Sequence, residues 1–303
     1  MVWNPASGIQ NPAAASAPRG RRSGPPRIPD SGFRILPYNP RVLTVGIDEV
    51  GYGPKLGPLV VAAACARGRL RAPVRIADSK RVFSQARGLG TLEPAVLGFL
   101  PAATFEELLR LLSAPLPGAP WYRAPLPLPA VPRLAGLEAA YARVVEPDEF
   151  NRETGARNKS ELLFEVVAGL VNRVRAAHEG PFRFLIGKQG GRRFYLRGIL
   201  RAIDPGARVL EERPERSAYA VPGATLAFLR DAEERNELVA LASMIGKYVR
   251  EQAMGLFNRW WAERRAGLRP TAGYGRDGSR FFGEIADLLA PAGLAPEEVL
   301  RRT

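Results

Sequence analysis

The sequence predicts an α/β sandwich built on a mixed sheet. Three observations carry this. Two apolar segments near residue 50 are joined by a glycine-rich turn, apolar strands alternate with helical patterns after them, and 46% of the 303 residues are hydrophobic, enough for a packed core.

Taken in order, residues 42–48 and 59–65 read as a strand pair closed by the turn, and residues 141–145 as a third strand. "ELLFEVVAGLVNRVRAA" gives helical spacing over 160–177. The short apolar run "FRFLI" (182–186) is a strand, 193–203 a further helix and 224–229 a further strand. From 238 to about 265 the spacing is helical and free of proline, and "SRFFGEIADLLA" supplies a last helix. Residues 1–36 are rich in Pro, Ser, Gly and Arg without periodicity and read as a disordered basic tail, in which Arg19, Arg21 and Arg22 suit solvation better than phosphate contact. Residues 37–303 form the domain. A Pro-rich insertion at 113–133 carries too many prolines for a helix or an inner strand and reads as an ordered surface loop.

Composition narrows the chemistry. A formal charge of +14 points to a polyanionic partner, although an Arg-rich codon bias would produce the same excess. Cys65 and His178 are single representatives of their types, which excludes an intramolecular disulfide and argues against Cys/His zinc sites, Ser-His-Asp triads and histidine acid-base chemistry. Any metal must be held by oxygen. No run of 18 apolar residues and no signal-type leader is present, so a cytoplasmic protein without a membrane partner is expected.

The stretch "VGIDEVGYGPKLGPLVVAAACA" (45–66) then poses a question, because it sets Asp48 and Glu49 side by side at the tip of a buried strand. Two buried carboxylates without partners would cost several kcal/mol. A metal, basic side chains, water or backbone donors of the glycine turn would each compensate them.

"GIDEVGYGPKLGPLVVAA" resembles the signature of the type 2 ribonucleases H, ribonucleases HII and HIII. Asp78-Ser79-Lys80, "ELVALASMIGKYVRE" (237–251) and "AGYGRDGSRF" (272–281) are similar to three further motifs of that family, in its order. The resemblance implies a ribonuclease H-like fold and cleavage of the RNA strand of RNA/DNA hybrids, with two divalent ions, Mg²⁺ or Mn²⁺, held by four carboxylates. It implies Asp48 and Glu49 as the first two ligands, and Glu233, ten residues before Ser243, as the fourth, with Asp231 and Glu234 as rivals. It places Gly51, Tyr52 and Gly53 where the family's turn meets the substrate 2′-hydroxyl, and Tyr274 where a tyrosine packs on the sugar.

The third ligand position is Gly187, which has no side chain to bind metal. Lys188, Arg192 and Arg193 beyond it suit phosphate contact or an exposed helix entry; Lys80 suits phosphate contact or a carboxylate partner, and Lys247 an ion pair or a substrate contact. Two functions follow: a metal-dependent endoribonuclease with an impaired third ligand, or a ribonuclease H-like module that binds nucleic acid without cutting it. In either case the expected partner is an RNA/DNA hybrid or a ribonucleotide-containing duplex, met by a monomer.

Overall fold

The computed structural model describes residues 39–84 and 86–302, with only the backbone at Lys80. The tail expected over residues 1–36 lies outside the described residues. Seven strands form one sheet: β1 Leu43–Val50, β2 Leu59–Ala66, β3 Ala139–Val145, β4 Phe182–Gly187, β5 Arg208–Glu212, β6 Arg216–Val221 and β7 Ala224–Leu229. Their order is β3-β2-β1-β4-β7-β6-β5. β1, β4 and β7 run parallel, and the remaining pairings are antiparallel. The helices are α1 Ser79–Val82, α2 Glu93–Phe99, α3 Phe105–Leu111, α4 Pro147–Ala156, α5 Lys159–Ala177, α6 Leu196–Ala202, α7 Ala232–Arg235, α8 Glu237–Ala262 and α9 Gly275–Ile285. A mixed sheet flanked by helices, with helices following it in the chain, is the fold that the sequence implied.

Two apolar layers cover the sheet, and β2 explains how. All eight of its residues are buried. Val60, Ala62, Ala64 and Ala66 join the layer built on α8, whereas Leu59, Val61, Ala63 and Cys65 join the layer built on α5. The period-2 alternation of a strand sends successive side chains to opposite faces, so a doubly covered strand reads as one continuous apolar run. β1 obeys the same rule. Leu43, Val45 and Ile47 face α5, and Gly46 lies against the start of α8, where an added Cβ would fall 2.2 Å from the Leu238 carbonyl carbon. Glycine there lets the long helix cross the strand at close range.

α8 begins with Asn236 as N-cap, its side chain accepting from Leu238 and Val239 amides, and holds eighteen buried residues over seven turns. Trp261 is fully buried and Trp260 half-buried, so one of the adjacent pair packs inward. The Pro-rich insertion departs from a simple surface loop. Pro120–Arg123 forms a 3₁₀ turn whose Trp121 and Tyr122 are buried, with the Trp121 ring edge-on to Phe257 of α8 at 5.2 Å. Prolines set the path of this segment, and its aromatic pair anchors it in the core.

The β5–β6 hairpin and helices α2, α3 and α4 were not expected from the sequence. β5 carries Arg, Val, Leu and two Glu at a half-exposed sheet edge, which gives no apolar alternation to read.

Candidate active site

β1 and β4 are parallel neighbours, with Ile47 opposite Ile186 as their last pair, so Asp48 and Gly187 follow at the same level on adjacent strands. Alternation turns Asp48 toward the α8 face and Glu49 toward the α5 face. The chain then turns at Gly51, whose φ is +85°. A Cβ at Gly51 would meet Arg250 Nε and the Pro58 carbonyl oxygen, each at 2.6 Å, so both conformation and space require glycine. Gly53, two residues on, is exposed and open on its Cβ side.

One pocket opens at this strand end. Asp48, Glu49, Gly51, Lys188, Glu233 and Tyr274, all singled out in the sequence, line it together with Gly187. Tyr52 and Gly53 follow on the same turn, and the Lys80 side chain lies outside what is described. The carboxylates come from two directions: Asp48 and Glu49 from β1, and Asp231 and Glu233 from the short connection between β7 and α8. Glu234 points elsewhere and pairs with Arg81, which separates it from its two rivals. Asp231 adopts the left-handed conformation, φ +50°, at the start of α7.

The surrounding polar groups are mostly engaged. Ser79 and Ser243 share a buried hydrogen bond of 3.0 Å between their hydroxyls, tying α1 to α8 in the pocket wall. The Lys247 ammonium pairs with Glu251 at 2.6 Å and lies 4.3 Å over the Phe83 ring, so the ion-pair expectation describes its geometry. Lys188 donates to the carbonyl oxygens of Arg213 and Pro214 at 2.9 and 2.8 Å, and burial lowers its pKa. That ammonium braces the β5–β6 turn. Arg193 similarly donates to the Glu212 carbonyl at 3.2 and 2.9 Å. Tyr274 is 47% exposed at the rim, and Arg250 lies 5.2 Å from its ring centre. Tyr52 is half-buried under the Lys159 ammonium at 4.5 Å, and burial, with the Glu49 charge second, raises its pKa. Burial also pushes the Cys65 thiol up to about 12, which removes it as a nucleophile.

The donors available to a metal are carboxylate oxygens, the kind Mg²⁺ and Mn²⁺ prefer, and in chemistry the set fits a divalent ion. In arrangement it falls short. Among the described residues no group of three or more His, Cys, Asp or Glu stands close enough to hold one. Gly187 lies at the gap: the place its Cβ would take is 2.7 Å from Asp48 Oδ1 and 3.8 Å from Glu49 Oε2. Asp48 thus leans into space that a side chain at 187 would claim.

Sequence reasoning missed Arg230, which lines the pocket and pairs with Glu215 at 2.8 Å, and the two buried arginines beneath the turn, Arg250 and Arg301. Arg230 adjoins Asp231 directly after an apolar strand, a signal of the same kind that marked Asp48. Nothing local marks Arg301, because its partners are some 250 residues away in the chain.

No family model matches the chain. A ribonuclease HII from Parvibaculum lavamentivorans is 33% identical over 131 residues, 42% of this chain and 48% of that relative, so the chain spans about half the length of the curated relative it matches. That relative bears the name of one of the two enzymes whose signature the sequence resembles. Among solved structures, ribonuclease HII of Archaeoglobus fulgidus in its PCNA complex is 19% identical with a TM-score of 0.44, over 86% of this chain and 98% of that one. Ribonuclease H2 of Pyrococcus horikoshii OT3 is 18% identical with a TM-score of 0.45, over 85% and 92%.

Proposed function

We propose that this chain is an endoribonuclease of the type 2 ribonuclease H family, hydrolysing the RNA strand of RNA/DNA hybrids at a site weakened by Gly187. One observation carries the reading: Asp48, Glu49 and Glu233, far apart in sequence, line a single pocket beside a glycine turn that brings backbone close to whatever enters it. Asp48 and Glu49, with Glu233 brought closer than in this structure, would hold a divalent ion, Mg²⁺ or Mn²⁺, which would supply charge stabilisation at a phosphodiester.

The protein's own groups do the rest. The Gly51–Tyr52–Gly53 turn offers main chain without bulk, which suits contact with a 2′-hydroxyl, the group that separates RNA from DNA. The exposed Tyr274 ring at the rim is free to pack on a sugar. Arg230, Lys188 and Lys247 offset the carboxylates around the pocket, and the +14 charge favours the phosphate backbone. A cytoplasmic monomer without a membrane partner is part of this proposal. No described helix is long and apolar enough to cross a membrane.

A second reading has its own support. Gly187, which offers no carboxylate beside Asp48 and Glu49, favours a module that binds hybrid and does not cut it. Incubation of the full chain with a uniform RNA/DNA hybrid and with a duplex containing one ribonucleotide, in Mg²⁺ or Mn²⁺, decides between them. The endoribonuclease reading expects metal-dependent cuts in the RNA strand. Binding of hybrid with no cuts in either metal gives the second reading.

A further inference from the structure

Beneath the glycine turn lies a buried charge that the pocket does not use. Arg301 is 2% exposed. Its Nη1 donates to the Gly51 carbonyl oxygen at 2.6 Å, its Nε donates to the Gly57 carbonyl oxygen at 2.8 Å, and its Nη2 donates to that same Gly57 oxygen. One planar guanidinium therefore grips both ends of the turn, on its first and last glycine.

The segment carrying Arg301 is itself fixed. The Arg301 amide donates to the Lys55 carbonyl at 2.8 Å, and Leu300 pairs with Leu56 as an isolated antiparallel bridge. On the other side Asn151 of α4 donates to the Glu297 and Leu300 carbonyls at 2.9 and 2.8 Å and accepts from the Arg302 amide at 2.6 Å. The Phe150 ring lies 4.9 Å from the guanidinium.

Burying a guanidinium against main-chain carbonyls, with the Arg250 charge as well as Glu146 acting on it, is an expensive way to gain stability alone, since desolvation opposes it. What the arrangement does supply is direction. In a trans peptide the C=O of one residue and the N–H of the next point opposite ways. With the Gly51 carbonyl drawn inward onto Arg301, the Tyr52 amide N–H must face away from the guanidinium, toward the outer side of the turn.

We propose that Arg301 is a positioning residue for ribose recognition: by clamping the Gly51 and Gly57 carbonyls it fixes the outward set of the Gly51–Tyr52–Gly53 backbone that distinguishes a ribonucleotide from a deoxyribonucleotide. This rests on the hybrid-directed function proposed above. Lysine keeps the charge and loses the fork that spans two carbonyls.

The test is the ratio of affinities for an RNA/DNA hybrid and a DNA duplex of the same sequence, measured at one salt concentration in chelator so that nothing is cut. A loss of folded protein alone lowers both affinities together and leaves the ratio unchanged. Arg301→Lys should lower the hybrid preference by about tenfold, the worth of a charge-assisted bidentate contact, while duplex affinity stays within about twofold. Asn151→Ala keeps Arg301, frees its segment and should lower the ratio in the same direction by about threefold, so it carries the test where Arg301→Lys does not fold. A wild-type chain that prefers hybrid, with both folded variants retaining that preference in full, overturns the clamp alone. A wild-type chain that binds both duplexes equally overturns the hybrid-directed function and the clamp with it.

Discussion

The two strands at the centre of the sheet, β1 and β4, run parallel and end side by side, yet they are finished in opposite ways. β1 carries Asp48 and Glu49 just before its last residue and enters a turn gripped from below by Arg301, with Arg250 donating to the Leu56 and Ala272 carbonyls nearby. β4 ends in Gly187 and Lys188, and its cation is spent on the Arg213 and Pro214 carbonyls of a neighbouring turn. Adjacent positions in a sheet do not have to share chemistry. The β1 end holds its charge at the pocket and its glycine under tight constraint, whereas the β4 end presents no carboxylate and turns its lysine into a brace. A site assembled from both is therefore lopsided.

The largest expected effect comes from breaking the β1 end. Asp48→Asn keeps the shape and removes the charge, so metal-dependent cleavage of hybrid should fall at least about 100-fold, the scale of losing one group that stabilises transition-state charge. Melting in chelator should barely change. Cleavage at the parental rate would take Asp48 out of the chemistry and leave the comparison without its active half.

Next in size is the turn itself. Gly51→Ala faces both the positive φ and contacts at 2.6 Å with Arg250 Nε and the Pro58 oxygen, so it should destabilise by about 2–4 kcal/mol. Gly53→Ala opens into space and should stay within about 0.5 kcal/mol. Chemical denaturation of the pair measures the difference. Equal stabilities would mean that the turn is not held as tightly as its hydrogen bonds suggest.

The β4 end can be tested by giving it the missing carboxylate. Gly187→Asp restores a ligand beside Asp48, but its Cβ would sit 2.7 Å from Asp48 Oδ1, so the short Asp48 side chain must rotate aside. Like charges at that range repel without metal, and a bound divalent ion reverses the balance. The variant should melt lower than the parent in chelator, gain more from Mg²⁺ or Mn²⁺, and cleave hybrid about tenfold faster. Gly187→Ala imposes the same displacement of Asp48 with no new ligand, and should cleave more slowly than the parent. If Gly187→Asp and Gly187→Ala behave alike, the position governs Asp48 by bulk alone, and a carboxylate from the β7–α8 connection fills the third role.

Much of this was legible in advance, for reasons that differ by element. β2 was readable because burial on both faces makes it a continuous apolar run, and β1, β4 and β7 because they are short, mostly apolar segments of strand length. α5 and α8 were readable through their 3.6-residue periodicity. The carboxylates of β1 stood out because charge at the tip of an apolar strand demands a partner. Lys188 illustrates the limit. Its setting among glycines gave no sign that its ammonium would find two carbonyls 25 and 26 residues later. Arg301 is the extreme case, since a hydrogen bond to a carbonyl oxygen leaves no signature in the identity of the residue that supplies it. Trp121 and Tyr122 were hidden for another reason: the prolines around them dominate the composition and mask the two side chains that reach the core.

The smallest expected effect concerns what lies beneath the two strand ends. Below the β1 turn, Glu146 receives the Tyr122 hydroxyl at 2.6 Å, and Arg301 acts on it electrostatically. Burial nevertheless dominates, outweighing the Tyr122 hydrogen bond and the Arg301 charge, and raises the Glu146 pKa from 4.5 to about 7. The folded chain therefore holds a proton that the unfolded chain releases between those values, so unfolding gives up a proton there and stability declines as pH rises. The contribution of Glu146 is complete below about 4.5 and is lost as pH passes through about 7. Glu146→Gln cannot titrate and should flatten this decline: its melting temperature relative to the parent should be higher at pH 8 than at pH 5 by at least about 2–4 °C, the shift that each kcal/mol produces in a domain of this size. Gly187→Ala, at the other strand end, should leave the slope as it is in the parent. An equal melting difference at the two pH values for Glu146→Gln would show that the support under the β1 turn carries no titrating charge, and that the two strand ends differ in their ligands alone.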